Sequence, residues 1–223
     1  MKLFPSTFRA TAAFGLASIG SIAYAACGGG GGCCGQSEAC GESADQGCAL
    51  VLNLVDEAVP EIDAELGNLL CAQVDEETMA AQVYRALGKS YALKPFEHIP
   101  LAEDAHAAAV RKILSETDFP ASPANTLTDE KFVTLRDELI ARGNTSELEA
   151  LRVGAFIEER DIQDLRLVMA ATKSASVLET LHWLEMGSHH HLNAFVRHLQ
   201  MRNEPYTPQL LSQAEFDAIV TAE

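Results

Sequence analysis

Residues 146–165, SELEALRVGAFIEERDIQDL, decide the fold. Ser146 and Glu149 form a Ser-x-x-Glu capping box, in which two side chains satisfy the free N–H groups of a helix start. The helix it opens runs to about Thr172. Leu151, Gly154 and Leu165 share one stripe of that helix, and Glu158 and Asp161 fall inside the same stripe. A carboxylate in an apolar face must be paired, protonated or bound to a metal, because desolvating an isolated charge is prohibitive.

Outward from this stretch, helical periodicity continues. From about residue 50 onward no alternating strand run is found. The spacing predicts a first long helix from near Pro60 to about Lys89 and a second over about Phe96 to Glu116, which Pro100 either starts or kinks. FPASPANTLT (119–128) reads as a loop broken by Pro120 and Pro123. Thr128, followed by Asp129 and Glu130, opens a shorter helix that Gly143 closes. The last long helix covers about Ser176 to Met201, and the tail NEPYTPQLLSQAEFDAIV (203–220) holds one or two more helical turns. Four long helices with a short one between the second and third predict an all-α bundle with a crossover element. That is the layout of ferritin-like folds rather than of simple up-down bundles.

Each long helix interrupts its apolar stripe with groups that bind metals. Glu77 falls among Leu70, Ala80, Tyr84 and Leu87; Glu103 and His106 share a face with Ile99, Val110 and Ile113. In EMGSHHHLNAF (185–195), only His191 lies on the inner stripe, with Leu184, Ser188, Phe195 and Leu199. His190 shares a face with Gly187 and Arg197, and His189 with His182 and Asn193. Taken singly, these residues have ordinary explanations. A Glu-x-x-His pair often decorates a solvated face, Glu77 sits in the acidic run Asp75–Glu77, and Asp161 can pair with Arg160 or Arg166. Together, on four helices and without an inward Lys or Arg, they predict one or two metal ions. Carboxylate oxygens with imidazole nitrogens suit iron or manganese best, with zinc open.

The 223-residue chain is acidic, with 16 Lys+Arg against 32 Asp+Glu and a net charge of −16. That balance argues against nucleic acid or an anionic membrane surface as partner. Residues 1–25 carry Lys2 and Arg9 but no acid, then the apolar run ATAAFGLASIGSIAYA, ending on Ala23-Tyr24-Ala25, a small-x-small cleavage pattern. This predicts an export signal, too short for a membrane anchor, and hence a periplasmic or secreted chain. Cys27 leaves lipoprotein anchoring open, although Tyr24 stands where that pattern prefers an aliphatic residue. Residues 26–50 read as a flexible Cys/Gly-rich leader, and 51–223 as the bundle with its tail. Cys27, Cys33, Cys34, Cys40 and Cys48 lie in the leader and Cys71 beyond it. In an oxidising compartment they suit disulfides, including a staple through Cys71, or a thiolate site for an ion such as copper.

EETMAAQVY (76–84) and AEDAHA (102–107) resemble the first half-site of rubrerythrin-like members of the ferritin-like superfamily. From about Ala64 to Val220 the chain is similar to a family of exported bacterial and archaeal ferritin-like domains of unknown function. AEDAHAAAV, DELIARGNTSELEALRVGAFIEERDIQDL, GSHHHLNAFVR and YTPQLLSQAEFDAIV carry that likeness. The resemblance implies a carboxylate-bridged dimetal site, with Glu77 as terminal ligand, Glu103 and Glu158 as bridges, His106 on the first metal and His191 on the second. One departure stands out: the usual fourth-helix Glu-x-x-His is Ser188-His189-His190-His191 here. Asp161, on the face of Glu158, is the candidate to compensate; without it a single-metal site becomes credible. Tyr84 reads either as a hydrogen-bond partner of the ligands or as a core tyrosine.

A di-iron centre with an open position passes electrons to oxygen or peroxide, so oxidase or peroxidase-type activity is the leading expectation. No rubredoxin-like Cys-x-x-Cys is present, so turnover needs an external electron donor. The alternatives are non-enzymatic binding of iron or copper, and a purely structural bundle. A homodimer stays open.

Overall fold

A computed structural model describes residues 61–115 and 117–221. The expected signal peptide, the leader with its five cysteines, and Pro60 lie outside them. Among the described residues six helices account for the regular structure: α1 (Ala64–Ser90), α2 (Lys94–Leu114), α3 (Glu130–Gly143), α4 (Glu147–Ala171), α5 (Ala175–Gln200) and α6 (Gln213–Thr221). No strand occurs among the described residues.

Local chemistry sets the boundaries. Ser146 accepts from the Glu149 amide, as its capping box predicts, and Ser174 caps α5 through the Val177 amide. The first helix starts at Ala64 rather than near Pro60, because Asp63 accepts from the Leu66 amide. The cap of α3 is Asp129, not Thr128; Asp129 accepts from Lys131, while the Thr128 hydroxyl and amide both donate to Asp75. The second helix begins at Lys94, with Pro95 in its first turn, and runs through Pro100.

Three-residue links join α1 to α2 and α4 to α5, which forces each pair into an antiparallel hairpin. Side-chain pairs fix the rest. Gln73 reaches Asp161 and Tyr84 reaches Glu158, so α4 descends as α1 rises. Phe96 packs on Phe195 and His106 on Trp183, so α5 likewise runs against α2. All four neighbours in the ring α1–α2–α5–α4 are therefore antiparallel. The chain must travel the bundle's length between the end of α2 and the start of α4, and α3, packed on α1 and α4, makes that crossing.

The interior is layered. An aliphatic cluster including Leu70, Val110, Leu165 and Leu184 fills one part of the bundle. Another part holds Tyr84, Phe96 and Phe195, with ring centroids 5.3–6.2 Å apart. Gly154 lets the Phe195 ring in; a Cβ there would stand 2.4 Å from it. Polar residues at Gln73, Glu77, Glu103, His106, Glu158, Asp161 and Ser188 are buried along the same four helices. Among the described residues no helix is long and apolar enough to cross a membrane.

Candidate metal centre

Glu77 from α1 and Glu103 and His106 from α2 form one group of three, with ligand atoms within 4.8 Å of one another. Glu103, Glu158 from α4 and His191 from α5 form a second. Glu103 belongs to both. Its Oε2 lies 2.9 Å from Nδ1 of His106, and its Oε1 lies 2.9 Å from Nδ1 of His191. Nδ1 of His106 is 3.5 Å from Glu77 Oε2, and Nδ1 of His191 is 3.5 Å from Glu158 Oε2. Each carboxylate oxygen of Glu103 thus faces a different imidazole.

These approaches are not good hydrogen bonds. Glu103 Oε1, His106 Nδ1 and His191 Nδ1 are buried without a hydrogen-bond partner, although their neighbours are within reach. Atoms occupying adjacent positions around an ion, with bonds of about 2.0–2.2 Å, stand about 3 Å apart. The donor set therefore fits a cation between nitrogen and oxygen better than a proton on the line joining them.

The surrounding charge supports the same conclusion. Arginines of these helices turn to other partners: Arg85 to Asp104, Arg160 to Glu76 and Asp164, Arg166 to Glu185 and Glu215, and Arg111 to Thr78 and the Ser122 carbonyl. Metal-free, the layer must hold protons instead. Burial would lower His106, yet Glu103 and Glu77 push it up to about 11. Burial would likewise lower His191, and Glu158 with Glu103 pushes it up to about 10. Burial lifts the Glu77 carboxyl to about 7 against the pull of His106. Burial and then Glu103 lift Glu158 to about 8. Burial would also raise Glu103, but His191 and His106 hold it down at about 2.

Of the six residues expected as ligands, five enter these groups. Asp161 enters neither. Its Oδ1 accepts from Gln73 at 2.6 Å and its Oδ2 from Ser188 at 2.5 Å, and Gln73 also donates to Glu77 at 2.9 Å. Ser188, which stands where the resemblance implies a carboxylate, thus donates to the acid expected to compensate for it. Tyr84 donates to Glu158 at 2.5 Å. His189 lies 3.8 Å from Glu185, and His190 is exposed. Among the described residues Cys71 has no disulfide partner, and its thiol lies 3.8 Å from the Pro120 carbonyl; the five cysteines of the leader lie outside them.

Sequence reasoning missed Gln73, although its spacing four residues before Glu77 places both on one helix face. It also missed three buried acids that do not enter the groups. Asp75 accepts from Ser122, Thr128 and the Asp129 amide. Glu76 meets Arg160 at 2.9 Å. Glu159 accepts from Tyr206 and from the amides of Gln209, Leu210 and Leu211. Their partners come from loops, another helix or the tail, so periodicity carries no signal for them.

The layer is not sealed. A surface cavity of about 590 Å³ between α2 and α5 is lined by His106 and His191 and by Trp183, Met186 and His190. Gly187 leaves room for the His106 ring, since a Cβ there would fall 2.7 Å from its Nε2.

Fold and site together define an all-helical bundle protein whose interior gathers acidic and imidazole side chains able to hold metal. The chain belongs to the family described as Uncharacterized protein domain (DUF2202), which it matches over residues 67–223, a span containing every candidate ligand. It is similar to Uncharacterized protein MJ0754 of Methanocaldococcus jannaschii, with 34% identity over 152 residues, 66% of this chain and 82% of that protein. The crystal structure of hypothetical protein MJ0754 from Methanococcus jannaschii DSM 2661 matches with a TM-score of 0.70 and 32% identity. That alignment covers 73% of this chain and 95% of the solved one.

Proposed function

We propose that this chain is an exported ferritin-like protein that holds two metal ions, iron in the first instance, and reacts with oxygen or peroxide at the expense of an external electron donor. The observation that carries the reading is Glu103, one buried carboxylate shared by two Glu/Glu/His groups and facing a different imidazole with each oxygen. Glu77, Glu103 and His106 hold the first ion, and Glu103, Glu158 and His191 the second. Bound iron would supply one-electron redox and Lewis-acid chemistry.

The protein's own residues do the rest. Tyr84 fixes the Glu158 carboxylate, and Gln73 fixes Glu77. Asp161, engaged by Gln73 and Ser188, joins neither group; burial, with Glu77 and Glu103 nearby, holds its carboxyl well above the usual carboxylate range, so a bound cation would favour its ionised form. Three protein ligands per ion leave positions free for a small oxidant, and the cavity over His106 and His191 gives it a path from solvent.

Ferrous iron added anaerobically to the full mature chain, then oxygen, tests the reading. Two irons per chain and a new near-ultraviolet absorption band are expected. Iron bound without that band, or copper bound preferentially, favours storage or sequestration instead. No stoichiometric metal under any condition, with an unchanged melting temperature, leaves a structural bundle.

A further inference from the structure

We infer that Trp183 is the point at which electrons pass between an external one-electron donor and the centre, an inference that rests on the metal reading above. Trp183 is the single tryptophan of the chain. Its ring stands edge-on to the candidate ligand His106, with centroids 5.1 Å apart and planes at 85°. Yet 54% of the residue is exposed to solvent. One side chain therefore touches the metal-binding imidazole and the outside water together.

Its position is unusual in a second way. Trp183 lines the cavity of about 590 Å³ over His106 and His191, and also a cavity of about 630 Å³ alongside, bounded by Ile113, Val177 and Thr180. It lines both hollows on the α2/α5 face, where a soluble donor can approach the exposed indole. Tyr84, the other oxidisable ring beside the ligands, is wholly buried and donates to Glu158, so it offers no direct contact with a donor. Met186, more than half exposed on the rim of the same cavity, leaves the approach apolar. An aromatic ring in contact with a ligand on one side and solvent on the other shortens the gap an electron must cross between a docked donor and the centre.

The step balances simply. With an oxidised ion held at the centre, a one-electron donor seated against Trp183 would lose one electron, which crosses the indole and the His106 ring to that ion without either ring being oxidised. The net result is one electron moved from donor to metal.

The test uses the full mature chain, iron-loaded and oxidised with oxygen, then mixed anaerobically with reduced methyl viologen while the near-ultraviolet band bleaches. Trp183→Ala should bind the same amount of iron and show the same band, but bleach roughly tenfold more slowly. Trp183→Phe, which keeps a smaller ring in the gap, should recover part of the rate. Equal bleaching in all three proteins overturns the inference while leaving the metal reading intact, whereas a wild-type chain that takes up no iron sinks both. A second readout is independent of turnover: hydrogen peroxide without donor should add oxygen to Trp183 in the iron-loaded chain, seen by peptide mass spectrometry, but not in the zinc-loaded chain. Equal modification of both overturns it.

Discussion

Glu158 and Glu159 are neighbours in sequence, 1% and 0% exposed, and chemically identical, yet they meet opposite surroundings. Glu159 points to the C-terminal tail, where one phenol and three backbone amides converge on its two oxygens. Glu158 points inward, receives a hydrogen bond from Tyr84, and confronts His191 and Glu103. A buried carboxylate surrounded by donors is a structural anchor. One surrounded by other acids and ring nitrogens marks a place where positive charge is missing. The same contrast separates Asp75, wrapped by the loop before α3, from Glu77 two residues on.

Substitutions sharpen this contrast. The largest effect is expected from Glu103→Ala, which should take bound metal from about two ions per chain to none by elemental analysis, since both groups use this residue. Loss of only one ion would show that Glu103 is not shared. Glu159→Ala should do the reverse. It strands a phenol and three amides and should cost about 3–5 kcal/mol in urea unfolding, with metal content per folded chain unchanged. If metal falls in step with stability, the division between anchor and ligand breaks down.

His191→Ala should release one ion and leave the one held by Glu77, Glu103 and His106, whereas His189→Ala and His190→Ala should release none. Equal losses from all three would overturn the register read from the sequence. Acidity provides a further check. Without an ion, His106 and His191 are held up to about 11 and 10, so both are imidazolium at neutral pH and must lose protons to bind a cation. Loading should therefore release protons, measurable by pH-stat titration, and affinity should fall as pH is lowered. The smallest effect belongs to Ser188→Ala, which removes one donor from Asp161 and should cost about 1 kcal/mol while both ions stay.

The helices were legible because their signals are local: Ser146 and Glu149 lie within one turn, and the stripe through Leu151, Glu158 and Leu165 repeats at helical spacing. The inward residues of α2 and α5 followed from the same periodicity. What the sequence could not supply was the partner of each acid. Glu158 and Glu159 are equally acidic letters, and only the tail's return across α4 separates them. Asp161 illustrates a related limit of periodicity: it lies on the expected face and enters neither group, and its two oxygens accept from Gln73 and Ser188, which belong to two other helices.

The two groups differ in where their ligands come from. Glu77, Glu103 and His106 all belong to the α1/α2 hairpin, whereas the Glu158/His191 group joins that hairpin to α4 and α5. The first pocket can thus assemble as soon as one hairpin has folded, while the second exists only once the two halves have met. An ion in the second is a clasp across the molecule, and its loss should loosen the seam between halves before it loosens either half.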